Sequence, residues 1–265
     1  MELNEVKNTQ IEQEVPFPPI YKMPLIGERA APFRAETTKG PINFPFDYAG
    51  KWVVFFSHPG DFEPICTTEF MYLQTMQQEF KNMNTELLGL SVDSIASHLA
   101  WIQSIYQIKW NNMENISINF PIVADPTMEI SNRYGMVHRG ETETQTVRAL
   151  FVIDPDSRIR NIMYYSNRTG RNLEEVKRIV EALQVITKEN VATPANWDPG
   201  EPVIVPSPKT TAQLLERQRI AVEEPSINCV AWYLCFREQT QEILRRLGIM
   251  KKKPIIPPPM IKKPN

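Results

Sequence analysis

The sequence predicts an α/β domain built on a mixed β-sheet covered on both faces, and three observations lead there. Short apolar segments rich in β-branched and aromatic residues alternate with segments whose apolar residues recur at helical spacing. The last two apolar segments are joined by DPDSR (Asp154–Arg158), a hairpin turn sequence. A helical segment follows that hairpin. Strand–helix alternation that ends in a hairpin and a helix gives a mixed sheet with helices on its faces.

In chain order, KWVVFFS (Lys51–Ser57), ELLGLSV (Glu86–Val92), FPIVAD (Phe120–Asp125), RALFVID (Arg148–Asp154) and RIRNIMYYS (Arg158–Ser166) read as strands. After the first, Phe70, Leu73, Met76 and Phe80 form the apolar face of a helix, and after the second a helix runs through SHLAWIQSIY. A later helix carries Leu173, Val176, Ile179, Val180, Leu183 and Ile186, introduced by Asn172 with Glu175 three residues on as a capping pair. This is the plan of a thioredoxin-like fold. Beyond about Lys188 the pattern gives way to an irregular arm, ATPANWDPGEPVIVPSPKTT, and a short helical piece around AQLLERQRIAVEE. The expected organisation is an extension over 1–22, the domain over 23–188, a C-terminal arm over 189–245 and a Pro/Lys-rich tail over 246–265. The tail reads as exposed and polyproline-like or disordered.

Composition narrows the function classes. Lys and Arg total 29 against 31 Asp and Glu, a formal net charge of -2, so no global field points to nucleic acid or an anionic membrane. The longest apolar runs fall far short of the roughly 20 residues that span a bilayer, and the first residues lack a basic region followed by an apolar one. A soluble, cytoplasmic protein is the expectation. Three cysteines are too few for a secreted disulfide scaffold, so each is judged by its surroundings.

The stretch HPGDFEPICTTEF (His58–Phe70) follows the first strand. Pro64 in the first turn of the next helix puts Cys66 at a helix N-terminus, where unpaired N–H groups and the dipole favour a thiolate. The plain alternative is a buried, inert cysteine. A dithiol motif is excluded, because the run reads CTTE and not C-x-x-C.

HP-x-DF-x-P-x-CTTE resembles the active-site loop of the peroxiredoxins, in particular the one-cysteine-type enzymes and their archaeal thioredoxin-peroxidase relatives. APFRAETT, SVDSIASHLAW, FPIVAD, RALFVIDP, GRN, VATPANW and CVAWYLC fit the same family in order, over about residues 24 to 237. The resemblance implies that the Cys66 thiolate attacks the distal oxygen of a peroxide, becomes a sulfenic acid and releases water or an alcohol. It implies no metal, haem or flavin. Pro59 matches the proline that roofs the pocket, and Arg148 the arginine that lowers the thiol pKa and stabilises the departing oxygen. His58 fits the subgroup and is placed near the pocket, Glu69 is expected to orient an arginine, and Arg171 to complete that network. Each also has an ordinary structural reading as a turn proline, surface arginine or strand-end histidine.

One position departs from the pattern. Where the family has threonine or serine three residues before the cysteine, this chain has Glu63. Either Glu63 is held protonated and donates the hydrogen bond that threonine would give, or it pairs with Arg148 and blunts the peroxidase.

Cys229 and Cys235 lie in CVAWYLC. Their spacing and lack of nearby histidines argue against zinc, and an inert place in an aromatic cluster stays open. The resemblance implies a redox role: Cys235 resolves the oxidised Cys66, from the partner subunit of a homodimer, and Cys229 exchanges afterwards so that a thioredoxin-like dithiol reduces the enzyme. It also implies assembly into a ring of dimers such as a decamer, with peroxide as substrate. The alternative is a peroxiredoxin-like scaffold silenced by Glu63, acting as a peroxide sensor or holdase chaperone.

Overall fold

The computed structural model describes residues 23–224, 226–239 and 245–249. The expected N-terminal extension, and the Pro/Lys-rich tail from residue 250 onward, lie outside the described residues.

Strands β1 (Phe33–Ala35) and β2 (Ile42–Phe44) pair as an antiparallel ribbon. There follow β3 (Trp52–Ser57), α1 (Pro64–Asn82), β4 (Thr85–Ser91), α2 (Ile95–Tyr106), β5 (Ile122–Ala124), α3 (Glu129–Arg133), β6 (Arg148–Ile153), β7 (Ile159–Tyr165) and α4 (Leu173–Glu189). The main sheet has the order β5-β4-β3-β6-β7, with β3, β4 and β5 parallel and β6 and β7 antiparallel to their neighbours. The expected mixed sheet is present, and the five long apolar segments are its strands.

Strand β3 is central and all six of its residues are buried. Its two-residue period sends Trp52, Val54 and Phe56 into one core and Val53 and Phe55 into the other. The first core receives Phe70, Leu73, Met76 and Phe80 from α1, Trp101 from α2 and Val176 and Val180 from α4. The second receives Phe33, Phe44 and Tyr134, whose ring meets Phe55 edge-on at 5.0 Å.

Local chemistry fixes the boundaries. Asn172 caps α4 by accepting the Glu175 N–H at 3.2 Å. In the hairpin turn, Asp154 Oδ1 accepts from the N–H of Asp156 and of Arg158, while Ser157 takes the left-handed conformation at φ 62°. At the carboxyl end of β3, Ser57 Oγ donates to Val147 O at 2.6 Å and accepts from Ala149 N at 3.1 Å. Arg148 therefore leaves the sheet where the β3–α1 loop begins.

In the arm, the expected helical piece is α5 (Thr211–Glu223), while the segments read as irregular also contain β8 (Val203–Val205), β9 (Ile227–Ala231) and β10 (Leu234–Arg237), which form an antiparallel sheet in the order β8-β10-β9. These strands are short and mostly half-buried, so pairing with one another defines them more than any sequence period. Trp197 and Val203 enter the first core and tie the start of the arm to α4, with Arg178 Nη1 donating to Trp197 O at 2.8 Å. Among the described residues no helix is long and apolar enough to cross a membrane.

Candidate active site

Cys66 is a free, fully buried thiol in the first turn of α1, two residues after Pro64. The helix begins there because Pro64 supplies the right φ and needs no N–H partner, and because Glu63 acts as its N-cap. Oε1 of Glu63 accepts from Ile65 N at 3.0 Å and Oε2 from Cys66 N at 2.7 Å. Two of the helix's free N–H groups are thereby consumed by a carboxylate.

Arg148 is completely buried and every N–H of its guanidinium is used. Nη1 donates to Cys66 Sγ at 3.3 Å and to Glu69 Oε2 at 3.1 Å. Nη2 donates to Glu63 Oε2 at 2.7 Å and to Asn167 O at 2.9 Å, and Nε donates to the same carbonyl at 3.2 Å. Glu69, one turn along α1 from the cysteine, is gripped from its other side by Arg171, whose Nη2 and Nε reach its two oxygens at 2.6 and 3.0 Å. Arg171 Nη1 also donates to Ser57 O and Ala149 O. The expected arginine–glutamate network is present, and it fixes Arg148 over the sulfur.

Of the two alternatives for Glu63, the structure has the ion pair. Burial alone would push the Glu63 carboxyl up, but the hydrogen bonds from Cys66 and Arg148 outweigh it and hold the pKa at about 2. Glu63 is an anion and a hydrogen-bond acceptor, unlike a threonine hydroxyl. The same arrangement corrects the expectation of a pre-charged thiolate. Burial pushes the Cys66 thiol up to about 12, Arg148 and a backbone hydrogen bond from Gly60 draw it down, and Glu63 pushes it further up. The helix N-terminus favours negative charge as expected, but that charge sits on Glu63.

Pro59 is buried, and the bond from Gly60 to the sulfur sets this loop against the pocket. His58 is buried too, stacked on Trp101 at 5.1 Å and edge-on to Phe70 at 4.8 Å. Its Nε2 lies 3.3 Å from Asp61 Oδ1, and His98 Nδ1 lies 2.9 Å from Asp61 Oδ2. Burial pushes the His58 pKa down, so its ring is neutral. Burial acts to raise the Asp61 carboxyl, and the two imidazoles more than offset it, holding Asp61 ionised. Asp61 and His98 escaped the sequence reading, although both stand inside the quoted DF and SHLAW motifs; their separation of 37 positions along the chain hides the contact. His58, Asp61 and His98 are also the group of metal-ligating type found among the described residues, with one ligand atom from each within 4.8 Å of the others.

Cys229 and Cys235 are joined to each other in a disulfide across β9 and β10, at directly paired positions with Cα atoms 4.0 Å apart. Cys235 is buried and Cys229 half-buried, while Trp232 and Tyr233 at the hairpin tip are exposed. Cys66 and Cys235 are not bonded to one another here.

A thioredoxin-like sheet that places a buried cysteine at a helix N-terminus under a fixed arginine defines a thiol peroxidase. Residues 26–162 match the AhpC/TSA family and residues 182–219 match the C-terminal domain of 1-Cys peroxiredoxin. A peroxiredoxin of Methanosarcina mazei is 51% identical over 221 residues, covering 83% of this chain and 100% of the relative. One from Methanocaldococcus jannaschii is 42% identical, covering 82% of this chain and 99% of its own length. The solved yeast mitochondrial 1-Cys peroxiredoxin superposes with a TM-score of 0.70 at 36% identity, over 82% of this chain and all of the other. The chain belongs to the AhpC/TSA family and is a peroxiredoxin, a thiol-dependent peroxidase.

Proposed function

We propose that this peroxiredoxin reduces hydrogen peroxide and small alkyl hydroperoxides through a sulfenic acid on Cys66, and that the C-terminal cysteine pair returns the enzyme to its reduced state. The observation that carries the first half is the free Cys66 sulfur held 3.3 Å from the Nη1 of a wholly buried arginine. The deprotonated sulfur forms a bond to the distal peroxide oxygen as the O–O bond breaks. Sulfur gives up two electrons, and the leaving hydroxide or alkoxide takes a proton to become water or alcohol. Arg148 stabilises the charge that develops on the leaving oxygen, Glu69 and Arg171 keep Arg148 aimed, and Pro59 limits water at the sulfur. Glu63 competes with the peroxide for Arg148 Nη2 and the Cys66 N–H, so turnover is slower than in relatives with threonine.

For the second half, Cys235 condenses with the sulfenic acid, releasing water and forming a Cys66–Cys235 disulfide. Cys229 then displaces Cys66 from it, which leaves the Cys229–Cys235 disulfide and a free Cys66 thiol. The pairing present here matches that end point and supports exchange between the two arm cysteines. A thioredoxin-like dithiol reduces the pair in the cytoplasm. The solved yeast relative is described as resolved through glutathione and thioredoxin systems, which supports a dithiol reductant here. Exposed Leu215, Val222, Val230, Trp232 and Tyr233 on the arm support dimerisation through it, and a ring of dimers such as a decamer is the assembly we propose. Family membership favours this peroxidase reading over a silenced sensor or holdase.

The test is mass spectrometry after one equivalent of hydrogen peroxide, with non-reducing electrophoresis alongside. A Cys66-containing cross-link is expected. A persistent sulfenic or sulfinic acid without one would make this a one-cysteine enzyme.

A further inference from the structure

We propose that Glu63 makes this peroxidase select uncharged hydroperoxides over anionic ones. The inference rests on the peroxidase reading of Cys66 and adds the substrate class. Glu63 Oε2 accepts from both the Cys66 N–H and the Arg148 Nη2, at 2.7 Å from each nitrogen, beside the Nη1 that reaches the sulfur. A helix N-terminus beside an arginine ordinarily attracts anions. Here that attraction is answered from within the chain.

The charges around the sulfur make the point. The cations are Arg148 and Arg171, and the carboxylates bonded to them are Glu63 and Glu69, so the four side chains cancel. Neighbouring His58 is neutral, and Asp61 is engaged by His58 and His98. Once Cys66 loses its proton the pocket as a whole is negative. An arriving anion meets a thiolate and a carboxylate, and both neighbouring arginines are already paired with carboxylates; the Glu63 side chain is 31% exposed, so screening weakens this repulsion without removing it. A neutral hydroperoxide meets no such repulsion. It also carries an O–H, for which the Glu63 carboxylate is an acceptor, so the residue that repels one class of oxidant has a bond to offer the other.

Hydrogen peroxide and peroxymonosulfate test this directly, since the second is an anion near neutral pH. With the first, thiolate and HOOH give sulfenic acid and hydroxide, which is protonated to water. With the second, thiolate and HOOSO3⁻ give sulfenic acid and sulfate, and the two electrons again come from sulfur. The measurement is the second-order rate constant for Cys66 oxidation by each oxidant in the wild-type protein, Glu63→Gln and Glu63→Thr, with Cys66→Ser as the background. Glutamine removes the charge and keeps one acceptor oxygen for the Cys66 N–H, giving up the bond from Ile65 N. The readout is the ratio of the two constants within one protein preparation, so a reduced folded fraction cancels. Both variants should raise the peroxymonosulfate constant relative to the hydrogen peroxide constant by about tenfold, equivalent to about 1.4 kcal/mol. Ratios within about twofold of wild type in both variants, with hydrogen peroxide still consumed, would overturn the charge selection and leave the peroxidase reading standing. Failure of Cys66 to react with either oxidant in any of the proteins would overturn both.

Discussion

Glu63 Oε2 and Arg148 Nη2 lie 2.7 Å apart, and the same guanidinium reaches the Cys66 sulfur through Nη1 at 3.3 Å. The arginine that contacts the sulfur is therefore shared with a carboxylate from the residue that caps α1. Burial pushes the thiol pKa up and Glu63 adds to that, while the helix N-terminus and part of the arginine are already committed to the carboxylate.

Replacing Glu63 with threonine should speed the reaction with hydrogen peroxide. Two unit charges at 4 Å and an effective dielectric near 20 interact by about 4 kcal/mol, but the Glu63 side chain is 31% exposed, so screening reduces this substantially. A rise of about tenfold in the second-order constant, about 1.4 kcal/mol, is expected in stopped-flow consumption of peroxide. An unchanged or lower constant would show that Glu63 does not restrain the sulfur.

Glu69 bridges two buried arginines, so neutralising it should cost stability as well as rate. Glu69→Gln leaves Arg148 and Arg171 without their shared counter-charge, and removing one partner of a buried pair costs about 3–5 kcal/mol. Urea unfolding should show a loss of that order. A loss under about 0.5 kcal/mol, the range of an ordinary surface substitution, would mean that the network is not sealed as the geometry indicates.

Acid should loosen the same site. The Glu63 pKa stands at about 2, and that of Glu69 is also lowered by Arg171 against the opposing effect of burial. Both carboxylates lie below the ordinary glutamate value near about 4.3. A depressed folded-state pKa gives stability that is fully present above that ordinary value and is lost as pH falls through the folded one. Unfolding free energy should therefore decline from about pH 4.3 toward about 2, less steeply in Glu63→Thr. Parallel curves for the two proteins would contradict the assignment.

The two arm cysteines should fail in different ways. With Cys235→Ser, one equivalent of peroxide should leave Cys66 as a sulfenic acid that a second equivalent carries to sulfinic acid. With Cys229→Ser, the reaction should stop at a Cys66–Cys235 disulfide visible by non-reducing electrophoresis. If the Cys229→Ser protein instead accumulates sulfinic acid, the roles are reversed.

Much of this could be read from the chain alone, for identifiable reasons. The five main strands are continuous apolar runs because the sheet is buried on both faces, and β3 is buried at every position. Pro64 marked the start of α1, and Asn172 that of α4. The arm sheet was missed because β8 and β10 are three and four residues long and depend on pairing with each other. The ribbon of β1 and β2 and the single turn of α3 escaped for the same lack of length. In the site, the sequence located Cys66, Arg148, Glu69 and Arg171 but left the state of Glu63 open, since 85 residues separate it from its partner. It also placed the helix dipole on the sulfur, because nothing in the local sequence says that a glutamate at the N-cap folds back onto the Cys66 N–H.

The most direct test of the restrained-sulfur account is the pH dependence of Cys66 alkylation in wild type and Glu63→Thr. Only the thiolate alkylates, so the rate rises with pH through the thiol pKa. The wild-type rate should still be climbing in the alkaline range, toward the value of about 12, and the profile should move to lower pH when Glu63 is replaced. A wild-type midpoint at or below that of an ordinary cysteine, near about 8.5, or coincident profiles for the two proteins, would contradict it.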